Sequence, residues 1–249
     1  MIYNIENKRI ICIGDIHGNF IKLYNIIRNT INKYGVSNSI FVVLGDCGFM
    51  GDGDDEWLYN IRKKVNRKLI SSNNYLYFFR GNHDDPQLFI DDKYIAGKTT
   101  RIGVLRDYDI LNSDYYGRIL IVPGAASIDR YHRIKGYNWW TDEVVVKLSD
   151  DEIDNLGKID VVLSHSLPYY PPLRDDLLID LQMYEDDYKC KFETSLRNYL
   201  QIETNYLQLL QSKIKSKMWV SGHYHTYRED VLDNTKYIAI DVYEIYDLK

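Results

Sequence analysis

The chain reads as an α/β protein with parallel strand pairing and helices on the sheet faces, and three observations carry that reading. Apolar, β-branched runs alternate with segments whose apolar residues recur at helical spacing, the pattern of successive βα units. Five of the six histidines directly follow such runs, at the carboxyl ends of strands where α/β proteins build their sites. The 249 residues are 45% hydrophobic and 27% charged, an ordinary globular balance that excludes a disordered tail, a collagen-like repeat and a coiled coil.

Taken in order, Arg9–Gly14 is a buried strand, and Phe20, Leu23, Ile27, Ile31 and Tyr34 then mark one face of a helix. Ser39–Gly45 is a second strand, followed by Trp57, Leu58, Ile61, Val65 and Leu69 on another helical face; Tyr75–Phe79 is a third strand. Ile102–Val122 breaks into short strand-like pieces separated by polar turns, as a meander or second sheet does. Val144–Leu156 has helical spacing and contains Ser149-Asp150-Asp151-Glu152, a capping-box pattern. Asp160–Leu163 is a strand, Glu193–Ile214 a long helix, and Met218–Ser221 and Tyr237–Val242 close the chain as strands. The Pro-, Tyr- and Asp-rich stretch 167–191 reads as a surface excursion from a single domain spanning 1–249, with no repeat or linker to divide it.

A formal net charge of -5 argues against a generally basic surface while leaving room for a local cationic site. Cys12, Cys47 and Cys190 form no CxxC pair, and an odd, sparse set reads as reduced thiols in a cytoplasmic protein. The first residues lack the apolar core of a signal peptide, and no run approaches ~18 apolar residues, so no membrane span or membrane partner is expected.

The chemistry sits in five blocks: Asp15-Ile16-His17-Gly18, Gly45-Asp46, Gly81-Asn82-His83-Asp84, Ser164-His165 and Gly222-His223-Tyr224-His225. Alone, each is bland, since a lone His is most often a core or surface residue and a lone Gly-Asp a turn. Five with the same placement point to a metal site. Imidazole, carboxylate and one amide oxygen without thiolate suit Mn²⁺, Fe, Zn²⁺ or Ni²⁺ rather than a cysteine zinc knot. Asp15, His17, Asp46, Asn82, His165, His223 and His225 are too many ligands for one ion and suit two if a carboxylate bridges. Such a pair of ions clamps the attacking and leaving oxygens of an in-line displacement. Two divalent cations outweigh Asp15, Asp46 and a bridging hydroxide, so the site attracts phosphate even on an acidic protein.

The order Asp-x-His, Gly-Asp, Gly-Asn-His-Asp, His, Gly-His-x-His across residues 15–225 resembles the calcineurin-like metallophosphoesterase superfamily. The resemblance implies a four-layer αββα sandwich of the metallophosphatase type, two mixed sheets flanked by helices, with the metals at the sheet edge. It implies that Asp15, His17, Asp46 and His225 hold the first of two divalent ions, Mn²⁺ foremost. Asp46 bridges, and Asn82, His165 and His223 complete the second. His83 becomes the non-ligand imidazole beside the scissile phosphate, and Asp84 is expected to orient it. Gly124–Glu143 and Gly45-Asp46-Cys47-Gly48-Phe49 are similar to a bacterial and phage branch, which places the protein in a bacterial or phage-infected cell. The phosphoprotein phosphatase branch continues its second block Gly-Asp-x-Val-Asp-Arg-Gly. This chain has Gly48-Phe49-Met50 there and lacks that phosphate-gripping Arg.

Around the blocks, Arg130 and Arg133 (with His132) are candidate contacts to a substrate phosphate, against the reading of a solvated turn with ordinary salt bridges. Trp139 and Trp140 suit packing as well as stacking on a base, and Tyr169-Tyr170-Pro171-Pro172 suits an ordinary ordered loop better than a substrate wall. Asp52, Asp54, Asp55 and Glu56 read as helix capping, and Cys47 as packing. The expected function is a dinuclear metal-dependent phosphoesterase in which a metal-bridging hydroxide attacks phosphorus in line. Its substrate is a phosphodiester or a small nucleotide-type monoester. The alternatives are a repair-type nuclease acting on DNA or RNA and a metal-binding scaffold without turnover.

Overall fold

The computed structural model describes residues 1–50, 56–91, 93–168 and 195–248. One sheet is built from β2 (Arg9–Ile13), β3 (Ser39–Val43), β4 (Tyr75–Phe78), β5 (Ile102–Val104) and β12 (Ile245–Asp247), in the order β12-β2-β3-β4-β5. The other is built from β1 (Ile2–Glu6), β6 (Ile110–Ser113), β7 (Gly117–Val122), β8 (Val161–Ser164), β9 (Met218–Ser221), β10 (Arg228–Leu232) and β11 (Thr235–Ala239), in the order β1-β6-β7-β8-β9-β11-β10. Strands β2 to β5 pair parallel, as do β7, β8, β9 and β11, while β12, β10 and the β6–β7 pair are antiparallel, so both sheets are mixed.

The strands are apolar on both faces, and their two-residue alternation sorts the side chains into three cores. Ile10, Cys12, Ile40 and Val42 meet Ile119, Ile121, Leu163, Val220 and Ile238 between the sheets. Ile11, Ile13, Phe41, Val43 and Phe78 face the other way, under α1 (Phe20–Tyr34) and α2 (Arg62–Ser71), which contribute Phe20, Leu23, Ile27, Val65 and Leu69. Leu120, Val162 and Trp219 lie under α3 (Asp150–Asn155) and α4 (Leu196–Ile214), which bring Ile153, Leu207, Leu210 and Ile214. The result is the four-layer αββα sandwich expected.

Several elements differ from the sequence reading. Val144–Leu156 yields a helix only over Asp150–Asn155: the Ser149 side chain accepts from Glu152 N, completing the capping box. Upstream, the carbonyls of Asp142, Glu143 and Val144 accept from the Arg80 guanidinium and are not available to a helix. Trp57 to Leu69 is a π-helical turn, Glu56–Ile61, running into α2. Ile102–Val122 divides between the two sheets rather than forming one meander. Edge strands β1, β10 and β12 lacked an apolar signature, because each is held chiefly by a single neighbour's ladder. The expected caps at Asp52, Asp54 and Asp55, nearly all of the 167–191 excursion, including Tyr169–Pro172, and Cys190 lie outside the described residues.

Candidate metal centre

All five blocks leave the carboxyl ends of parallel strands: β2, β3 and β4 from one sheet, β8 and β9 from the other. The turns are tight. His17, Asp46, His223 and His225 have φ of 42°, 44°, 72° and 48°, a left-handed conformation that costs a non-glycine residue about 1–3 kcal/mol. Hydrogen bonds offset it: Asp46 O accepts from Ile16 N (3.2 Å) and His17 N (2.8 Å). Two glycines permit the close approach, since a Cβ at Gly81 would lie 2.2 Å from Asp46 Oδ1 and one at Gly222 2.2 Å from Asp15 Oδ1.

Asp15 Oδ2 lies 3.1 Å from His225 Nε2 and 3.8 Å from His17 Nε2, and those two imidazole nitrogens face each other at 3.0 Å. With Asp46 they form one group of donor atoms, all within 4.8 Å of one another. Asp46 belongs equally to a second group with His165 and His223. His165 Nε2 is 3.1 Å from Asp46 Oδ1 and 2.9 Å from Asn82 Oδ1. The seven residues expected as ligands therefore converge, with Asp46 shared.

The donor set fits divalent metal. Asp15 and Asp46 are each 1% exposed, and among the described residues their ion-pair partners are imidazoles, with no Lys or Arg. Burying two carboxylates so close together calls for a cation. Burial would raise the Asp46 carboxyl, but His165 and then His83 hold it well below the usual carboxylate range. Burial would likewise lower His165; Asp46, Asp15 and the Leu44 carbonyl outweigh it and lift the imidazole to about 10. His165 Nδ1 donates to Leu44 O (2.7 Å), so the proton on Nε2 sits among Asp46, Asn82 and His165, where a metal ion would serve all three. His223 is held well below its ordinary value by burial and by His165, which keeps it in the neutral, ligating form.

His83 stands beside this cluster. Its N–H donates to Asp46 Oδ1 (2.8 Å), its Nε2 is 3.9 Å from Asp46 Oδ2, and its side chain is 30% exposed, open to an entering substrate. Arg133 Nη2 hydrogen-bonds that Nε2, while its guanidinium is anchored on Asp129 Oδ1 (2.5 Å) and reaches Asn82 O (3.4 Å). Burial depresses the His83 pKa; Asp46 pulls it up and Arg133 down again.

One expectation needs correcting. Asp84 does not orient His83: it is fully buried, Oδ2 accepting from Gly81 N (2.8 Å) and Cys47 N (3.0 Å), Oδ1 from Gly48 N (2.7 Å) and Phe49 N (3.0 Å). It ties the second block to the third, with its carboxyl lifted to about 6 by burial and by Asp46. Arg130, the other expected phosphate contact, has its guanidinium over the Trp139 ring (4.2 Å) and the Tyr199 ring (5.3 Å). Trp139 and Trp140 are buried, as packing residues are, and Cys47 is buried with Sγ toward Phe79 O. Ser127 and Glu143, both in the Gly124–Glu143 run, carry no motif that marks them as site residues. Ser127 Oγ accepts from Asn82 Nδ2 (3.0 Å) and Ser127 N donates to Glu143 Oε1 (3.1 Å).

A family model described as calcineurin-like phosphoesterase matches residues 8–227. No curated protein matches the chain. One solved structure superposes with a TM-score of 0.57 at 12% identity, covering 96% of this chain and 95% of the other. TT1561 of Thermus thermophilus superposes with a TM-score of 0.51 at 9% identity, covering 97% of this chain and 94% of its own. A 5'-nucleotidase precursor, also from Thermus thermophilus, aligns with a TM-score of 0.47 at 12% identity, over 95% of this chain and 49% of that one.

Proposed function

The chain belongs to the calcineurin-like phosphoesterase family, and on that premise we propose that it hydrolyses a phosphodiester or a nucleotide-type monoester with two divalent ions. Asp15, His17, Asp46 and His225 would hold one ion and Asp46, Asn82, His165 and His223 the other. The observation that carries the reading is the sharing of Asp46 between two donor groups.

When bound, the ions would activate water and neutralise charge developing on the phosphoryl oxygens. The protein's own residues do the rest. Asp15 and Asp46, buried and without Lys or Arg partners among the described residues, fix the cations' places. Arg133, held by Asp129, presents a planar fork of N–H donors suited to a phosphate. In the free protein its Nη2 is engaged by His83 Nε2. A phosphate that draws Arg133 away frees the Nε2 lone pair to take up a proton from solvent and pass it to the departing oxygen. Hydrolysis of p-nitrophenyl phosphate and bis-p-nitrophenyl phosphate, after chelation and with Mn²⁺ restored, tests this. Metal-dependent turnover of either is expected, with the preferred ester giving the class; two bound metals without turnover would favour a scaffold.

A second reading, a nuclease, is favoured by one feature. Helix α1 carries Lys22, Arg28 and Lys33 and α2 carries Arg62, Lys63, Lys64, Arg67 and Lys68, and none of the chain's 36 acidic residues lies in either. Mn²⁺-dependent shortening of an end-labelled oligonucleotide would support it; an intact oligonucleotide beside a cleaved small diester would exclude it.

A further inference from the structure

We propose that Ser127 is a positioning residue for Asn82, held in place by Glu143, so that the carboxamide oxygen and not the NH₂ group faces the shared Asp46. The inference rests on the two-ion reading above and assigns a task to the Gly124–Glu143 run, which that reading used only through Arg133.

A carboxamide is nearly symmetric in shape, but only its oxygen can ligate a metal; turned over, it offers N–H donors instead. At Asn82 something must therefore decide which end points inward. Nδ2 donates to Ser127 Oγ at 3.0 Å, and Oδ1 accordingly sits 2.9 Å from His165 Nε2. Both Asn82, at 2% exposure, and Ser127, at 0%, are shut off from water that would satisfy a flipped amide. Removing the hydroxyl takes away the acceptor that holds the NH₂ group on that side, and turning inward toward the two carboxylates becomes its best alternative.

Ser127 is placed by Glu143 in turn. Glu143 Oε1 accepts from Ser127 N (3.1 Å), while Glu143 O accepts from Ala125 N (3.1 Å), so side chain and backbone both grip the turn after β7. Gly124 N donates to Arg80 O (3.0 Å) at the start of the same turn. Glu143 is fully buried, and its Oε2 has no hydrogen-bond partner among the described residues. Keeping a carboxyl in such a place is costly even with Arg133 and Trp139 acting on it, and its bond to Ser127 N is what connects it to Asn82.

Calorimetric titration of the chelated, full-length protein with Mn²⁺ tests the proposal, with thermal midpoints measured alongside. The native protein is expected to bind two ions. Ser127→Ala and Glu143→Ala should each weaken one of the two sites by about 10–100-fold, the range for losing an outer-shell partner, and spare the other. Glu143→Gln keeps an oxygen for Ser127 N and should leave both affinities within about threefold. Native affinities at both sites in Ser127→Ala and Glu143→Ala would overturn the proposal. So would an equal loss at both sites that Glu143→Gln shares. A native protein that binds one ion would instead remove the two-ion reading, and the proposal with it.

Discussion

At the scale of single residues, what was legible in the sequence was chemistry that does not depend on context. An imidazole or carboxylate at a strand end can be a ligand wherever the fold brings it, and six such residues converge with the Asn82 carboxamide oxygen. Asp84 was misread because its role depends on which backbone it meets; four N–H groups from two blocks point at it, and nothing in Gly-Asn-His-Asp announces them. His83 is separable from the ligands by experiment, because its ring contacts Arg133 and lies 3.9 Å from Asp46 Oδ2. His83→Ala should lower kcat by about 10²–10⁴-fold, the usual contribution of a proton-transferring side chain. Metal stoichiometry, read by elemental analysis of the same sample, should stay at the native value. Loss of metal together with activity would show that His83 is a ligand. Asp46→Asn is the converse case and should lose both, since both donor groups share that carboxylate.

Strands β2, β3, β4, β8 and β9 and helices α1 and α4 were readable because burial on one or both faces leaves a periodic apolar record. The edge strands were not, since β10 exposes most of its residues and its pairing to β11 comes from the backbone. Nor was the fate of 142–149, whose backbone groups are taken up by Arg80, Tyr108, Glu203 and Tyr206 from distant parts of the chain. That segment also carries a pH dependence. Burial lifts the Glu143 carboxyl from its ordinary 4.5 to about 7, against hydrogen bonds from Ser127 that lower it. An acid whose folded pKa is raised binds its proton more tightly in the folded state. Its contribution to stability is therefore fully present below about pH 4.5 and is lost as pH rises through about 7. Denaturation of native protein and Glu143→Gln in urea should show their stability difference shifting in favour of the variant by on the order of 3 kcal/mol between pH 5 and pH 8. A difference that does not change with pH would mean that Glu143 is ionised throughout.

The molecule as a whole is asymmetric in charge in a way that net composition hides. A chain of net charge -5 keeps every acidic residue out of α1 and α2, whose Lys22, Arg28, Lys33, Lys63, Lys64 and Arg67 are exposed. Lys68 Nζ bonds Asn32 Oδ1 at 2.6 Å, so the two helices present these cations as one layer on the outer side of the β2–β5 sheet. The net charge therefore leaves room for a local concentration of cations on these two helices. A cationic layer of this kind attracts a polyanion by releasing its counterions, and the signature is a steep dependence on salt. If the natural substrate is a nucleic acid, fluorescence anisotropy with a labelled duplex should give log K falling with log[salt] at a slope of about -3 to -5. Replacing Lys63, Lys64 and Arg67 together by Glu should flatten that slope by about 3. Because the three lie on α2 and not on the strand-end loops, turnover of bis-p-nitrophenyl phosphate should remain native in the same variant. A small, salt-insensitive affinity in the native protein would assign the layer to solvation, and with it the substrate to the small phosphate esters.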